Sequence, residues 1–275
     1  MIKTTMRPVM TAYGRALKSQ FGASMLMLSV LPVLLSLALW GVLLYFGLAP
    51  AEAMISAWMP EPGNANGWFA QYGAGALKVV AVAVIAVLLT LPVMIFTSLL
   101  FMGVAAMPSI VKHVGQRQFP LLVQKQGGSF AGSVRTNVGT IALAIPLWLL
   151  TLPLYIIPPL AVLAQVLLWG RVTSIVMCYD ALAEHASEAE RTTIMREHRR
   201  QLTVIGMLSG AVGALPGIVW IGGTIISVVL FPILAVLAVW IYVLIFMFTA
   251  LWFQYYCLQA LEDLRAADAT APAVA

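Results

Sequence analysis

Residues 201–261 read QLTVIGMLSGAVGALPGIVWIGGTIISVVLFPILAVLAVWIYVLIFMFTALWFQYYCLQAL, 61 consecutive positions without Asp, Glu, Lys, Arg or His. A bilayer's hydrocarbon core is ~30 Å thick and is crossed by roughly 20 apolar residues of helix, so this stretch is long enough to enter a membrane and return. Three further uncharged tracts, 19–51, 79–111 and 136–170, run 33, 33 and 35 residues. Charged residues make up 9% of the chain, against about 25% in soluble domains. The sequence therefore predicts an all-α integral membrane protein, with residues 1–265 as one membrane domain and 266–275 as a disordered C-terminal tail.

The few charges set the expected topology. Lys3, Arg7, Arg15 and Lys18 precede the first tract; Lys112, Arg117, Lys125 and Arg135 follow the second; Arg191, Arg196, Arg199 and Arg200 precede the last; Arg265 lies beyond it. Segment 49–77 holds Glu52 and Glu61 with no Lys or Arg, and Pro50, Pro60, Pro62 and Gly63 mark it as a loop. Thirteen cations against none places both termini and both basic loops in the cytoplasm, in an inner membrane, by the positive-inside rule. Spans are expected at 24–48 and 77–107. The first is too long for a signal-peptide core of about 7–15 residues and reads as retained. Ahead of it, Ile2, Met6, Val9, Tyr13, Leu17 and Phe21 recur at helical spacing with cations opposite, which suits a helix on the membrane surface.

Between cytoplasmic loops, 136–180 and 201–261 must each enter the membrane and come back. The first has its expected turn at Pro158-Pro159, and the second at Gly222-Gly223 or Phe231-Pro232. The architecture is thus two long transmembrane helices plus two intramembrane helical hairpins with an N-terminal amphipathic helix. Cys178-Tyr179-Asp180-Ala181-Leu182 and Cys257-Leu258-Gln259-Ala260-Leu261 lie 79 apart, as do Pro153 and Pro232. Either the hairpins are internal repeats, which transport folds often use, or a narrow composition produces the match.

The uncharged tracts offer no Asp, Glu, His or Lys for proton or metal chemistry inside a bilayer. Neither a catalytic triad nor a cofactor fingerprint is present, so no enzyme, cofactor or metal is expected, and cations flanking apolar spans point to lipid head groups instead of nucleic acid. Histidines 113, 185 and 198 lack ligand spacing and read as solvated or hydrogen-bonded. Arg171 alone sits well inside an apolar run, either as a snorkelling anchor or as an anion contact. Ser187-Glu188-Ala189-Glu190 has the form of a capping box opening a helix toward Gln201, whose Arg199 and Arg200 could hold an anion. Gly127-Gly128-Ser129 reads as a flexible linker before an anion nest. Gly206, Gly210, Gly213 and Gly217 have the spacing of a close helix-packing face, while Val239 reads as lipid-facing.

Ser19-Gln20-Phe21-Gly22, Leu31-Pro32, Phe96-Thr97-Ser98 through Ala105-Ala106-Met107-Pro108, Cys178-Tyr179-Asp180 with His185, and Arg199-Arg200 to Gly217 together carry a likeness. From about residue 10 to 265 the chain resembles the bacterial branch of the etoposide-induced protein 2.4 family, the CysZ-like sulfate permeases. The resemblance implies a homo-oligomer with partly inserted hairpins and sulfate uptake. Such permeases carry an arginine pair shortly after the glycine that opens the first span; here Gly22-Ala23-Ser24-Met25 stands there. They also have Pro and Asn where this chain has Ala181 and Glu184. The expected function is a permease or channel for a small solute, plausibly an inorganic anion, with Gly22, Ser24, Arg171, Arg199 and Arg200 as binding candidates. The rival is a non-transporting membrane scaffold or lipid-interacting biogenesis protein.

Overall fold

A computed structural model describes residues 6–58, 107–222 and 224–270, with Ile85, Val93, Met94, Thr97, Phe101 and Gly103 between the first two segments. Among these residues every regular element is a helix: α1 (Arg7–Gln20), α2 (Ala23–Trp58), α3 (Met107–Gln118), α4 (Phe130–Leu150), α5 (Pro158–Leu182), α6 (Glu188–Glu197), α7 (Arg199–Gly222) and α8 (Thr224–Thr270). Among the described residues four stretches are long and apolar enough to cross a membrane: Ala23–Gly47, Phe130–Leu150, Pro159–Leu182 and Leu237–Thr270. Most of the span expected at 77–107, and residues 59–77 of the expected loop, lie outside the described residues.

Helix ends follow local chemistry. The Ser129 hydroxyl caps α4 by accepting the Gly132 N–H at 3.0 Å. After α4 a short 3-10 turn, Leu152–Ile156, reverses the chain. Pro158 then opens α5, where a missing N–H is no loss and the fixed φ suits the first helical position. The reversal therefore falls just ahead of the proline pair. α7 ends at Gly222 and α8 starts at Thr224, the first of the two expected break points; α8 continues through Pro232.

Two boundaries differ from expectation. α2 runs through Pro50 to Trp58, because a proline removes one backbone hydrogen bond and bends a helix without ending it when good helix formers such as Ala51, Glu52, Ala53 and Met54 follow. α8 extends to Thr270, five residues into the expected tail, where Ala266, Ala267 and Ala269 favour helix; residues 271–275 lie outside the described residues.

Burial divides the molecule into two parts. On α8 every residue from Ala250 to Leu261 except Gln259 is buried, and α1, α3 and the end of α5 close around that segment with Val9, Ile110, Val114, Cys178 and Leu182. A helix buried on all sides is the core of its domain. Val239, 1% exposed, also belongs to this core and is not lipid-facing. α4 is the opposite case: it buries Ala144 and exposes Val138, Ile141, Leu143, Leu147 and Leu150. Such a surface requires a hydrocarbon solvent or a neighbouring apolar helix.

α1 joins the core through small residues. Val9, Ala12 and Ala16 turn toward α8, the Trp252 indole donates to the Val9 carbonyl at 3.1 Å, and the Gln20 amide donates to the Leu244 carbonyl at 3.3 Å. Of the face expected to be apolar, Met6, Tyr13, Leu17 and Phe21 are exposed and Val9 is buried.

The tightest helix approach pairs α5 with α7. A Cβ added to Gly206 would stand 2.1 Å from the Gly170 carbonyl oxygen, and one added to Gly170 would stand 2.5 Å from Met207 Cγ. Gly210 has open space around it and Gly213 meets Ile245 Cγ2 at 4.0 Å. Within the chain, therefore, Gly206 with Gly170 makes the contact, and Gly210 and Gly213 do not. The residues 79 apart also meet: Cys178 and Cys257 are buried with their Sγ atoms 3.6 Å apart.

Candidate functional site

At the charged end of the bundle, Ser187 and Glu190 form the capping box of α6: the Ser187 hydroxyl accepts the Glu190 N–H at 3.2 Å, and Glu190 Oε2 accepts the Ser187 N–H at 2.7 Å. The helix stops at Glu197, with His198 in the break before α7. The same Glu190 carboxylate binds Lys125 Nζ at 2.7 Å and Arg265 Nε at 2.9 Å. Arg265 further donates to the Val123 carbonyl at 2.8 Å and the His185 carbonyl at 2.7 Å. Its hydrogen bond, ahead of the one from Lys125, holds the Glu190 carboxyl well below the usual carboxylate range.

This clamp fixes the segment before α4. The N–H groups of Lys125, Gln126, Gly127 and Gly128 donate to the carbonyls of His185, Glu184, Ala186 and Ala183. Gln126 takes a φ of 47° in the process. A Cβ at Gly127 would stand 2.4 Å from the Ala186 oxygen, and one at Gly132 would stand 2.0 Å from the Tyr179 hydroxyl. The glycines are therefore required by close packing, and the segment is neither a flexible linker nor an open anion nest. Arg191 completes the dock by donating to the Gly127 carbonyl at 3.0 Å while its guanidinium lies 4.2 Å from the Tyr179 ring centre.

The histidines differ in what holds them. His198 Nδ1 lies 2.8 Å from the Tyr256 hydroxyl. His185 is 2% exposed against Gly115, and its Nδ1 has no hydrogen-bond partner among the described residues. It is neither solvated nor hydrogen-bonded through Nδ1, and burial lowers its pKa.

Arg171 is placed differently from Arg265. It is half-buried on α5, beside the Gly170–Gly206 crossing, and Nη1 lies 3.4 Å from both the Ser174 and Thr203 hydroxyls. Thr203 in turn donates to the Arg199 carbonyl, one turn earlier on α7, at 2.8 Å. Thr203 thereby links Arg171 to the Arg199 backbone, and no carboxylate among the described residues lies within ion-pair distance of either arginine. Ser174 likewise donates to the Arg171 carbonyl at 2.7 Å, so both hydroxyl protons are committed and the free donors for an oxyanion at this crossing are the remaining guanidinium N–H groups of Arg171. Arg199 and Arg200 are both exposed and adjacent at the start of α7.

Gly22 and Ser24 stand apart from this cluster. Gly22 forms the turn between α1 and α2, its N–H donating to the Ser19 carbonyl at 3.0 Å and its carbonyl accepting from Met25 and Leu26. Ser24 is exposed, while Met25 is 3% exposed in the core. Among the described residues no hydrogen bond or ion pair joins Gly22 or Ser24 to Arg171 or Arg199. Ser174 and Thr203 escaped the sequence reading because hydroxyls on apolar helices usually bond their own backbone; their spacing from Arg171 and Arg199 is the signal that could have found them.

Among the described residues every regular element is helical and four helices are long and apolar enough to cross a membrane, which defines a helical membrane protein. The chain matches the family described as Sulfate transporter CysZ/Etoposide-induced protein 2.4 over residues 12–222, and it belongs to that family. No curated protein and no solved structure gives a match.

Proposed function

We propose that this protein is a permease or channel for a small inorganic anion, sulfate being the first candidate, and is not an enzyme. The observation that carries this reading is Arg171 at the α5–α7 crossing, joined through Thr203 to the Arg199 backbone, with no carboxylate among the described residues to pair with either arginine. Family membership supports sulfate as the class to test first. Two long spans with two inserted hairpins, homo-oligomeric assembly, and cytoplasmic termini in an inner membrane complete the proposal, with lipids as the surrounding partner. In that frame Arg171 and Arg199 lie toward the cytoplasmic side, at the exit of an inward path.

The test is anion flux into liposomes containing purified protein. Arg171→Gln and Arg199→Gln are each expected to lower sulfate flux or binding about tenfold, in line with the roughly 1.5–3 kcal/mol of a charge-assisted hydrogen bond. Wild-type protein that conducts no anion above empty liposomes would favour the scaffold reading.

A further inference from the structure

A second basic site lies where α1 crosses α8, away from the arginines of the proposed anion path. Arg7, Thr11 and Arg15 of α1 and Tyr255, Gln259 and Asp263 of α8 line a cavity of about 280 Å³ open to the outside. Its polar groups are unevenly committed. Thr11 donates to the Arg7 carbonyl at 3.0 Å, Tyr255 pairs with Ser19 at 2.6 Å, and the Gln259 amide donates to Glu262 and Asp263 at 3.3 Å. Arg15 uses one N–H on Gln259 Oε1 at 3.2 Å. The remaining donors of the cavity are thus chiefly the two guanidinium groups. Two arginines against one aspartate leave one net positive charge, which matches the single negative charge of a phosphodiester.

The rest of α1 indicates where that phosphodiester comes from. The helix uses Val9, Ala12 and Ala16 to bind α8, yet Met10 remains 63% exposed and Phe21 70%, with Met6, Tyr13 and Leu17 exposed as well. These large apolar side chains lie on the side of α1 away from its cations, an arrangement that suits acyl chains on one side of the helix and head groups on the other. We propose that the Arg7–Arg15 groove between α1 and α8 seats the phosphodiester of an anionic phospholipid whose chains cover the exposed apolar side of α1.

The full-length protein in detergent micelles would be titrated with phosphatidylglycerol, phosphatidylcholine and inorganic phosphate, with bound lipid counted by native mass spectrometry. Phosphatidylglycerol should bind at least tenfold more tightly than the other two. Arg7→Gln, which breaks no hydrogen bond among the described residues, should weaken it about tenfold, and Arg15→Gln similarly. Lys18→Gln removes a charge from the same helix outside the cavity and should change binding less than twofold. A general attraction to the anionic surface would instead give about a fivefold loss for each of the three variants, and equal losses would overturn the site. Equal affinity for phosphatidylcholine, or for inorganic phosphate, would overturn the proposed ligand.

Discussion

Arg265 lies near the end of α8 and Arg171 well inside the apolar run of α5, and their surroundings are opposite. Arg265 spends its guanidinium on both oxygens of Glu190 and on the Val123 and His185 carbonyls, within 2.7–3.1 Å. Arg171 has two hydroxyls at 3.4 Å and, among the described residues, no carboxylate within ion-pair distance. A cation whose donors are saturated by the protein holds the fold together; one left short of acceptors is available to an anion that arrives from outside. The distinction separates a structural clamp from a candidate site although the residue type is the same.

The sharpest way to break the comparison is to separate α5 from α7. Gly206→Leu drives side-chain atoms into the Gly170 carbonyl, so it should part Arg171 from Thr203 and reduce monodisperse protein at least fivefold on size exclusion. Gly210→Leu points into open space and should stay within twofold. Equal yields would remove the crossing from the argument.

Next in size is an added charge at the start of α2. Met25→Arg buries a guanidinium without a counter-charge, a loss of about 3–5 kcal/mol, and should lower the apparent Tm by more than about 10 °C. Ser24→Arg is exposed and should be tolerated, and if this turn adjoins the anion path it should raise sulfate binding about tenfold. The arginine pair of the family's sulfate permeases can therefore be restored here at one position only.

The clamp itself predicts a smaller loss. Glu190→Gln leaves Arg265 without its carboxylate and weakens the α6 cap, which should reduce stability by about 2–3 kcal/mol, or about 5–10 °C in Tm, while sulfate affinity stays within twofold. Lys125→Gln touches a half-exposed ion pair and should reduce stability by less than about 1 kcal/mol. A clamp variant that abolished sulfate binding while remaining folded would merge the two regions.

The smallest effect is on pH. Glu190 is held below its ordinary value of 4.5, so its contribution is complete above pH 4.5 and is lost only as pH falls through the lower folded value. His185 and His198 are held below 6.5, chiefly by burial. Their contribution is complete above pH 6.5 and declines as pH falls below it toward their folded values. Thermal stability should therefore fall modestly between pH 7 and 5.5. His185→Gln should reduce that slope, and Glu190→Gln should leave it unchanged.

Composition and the placement of charge alone determined that the chain is helical and built for a membrane, because a bilayer core penalises every unpaired charge over a length of about 20 residues. Capping at Ser187 and the reversal near Pro158 were equally legible, since both depend on neighbours within four positions. The sequence also marked Arg171 as an exception inside an apolar run. What only the tertiary structure decided are the contacts between distant positions: Gly206 against Gly170 instead of Gly210, Arg265 on Glu190, and Val239 in the core. The pairing of Arg171 with Thr203 and the docking of Gly127 against Ala186 belong with them. Periodicity states which face of a helix is apolar, but lipid and a protein neighbour satisfy such a face equally, so the choice between them is made only when the helices pack.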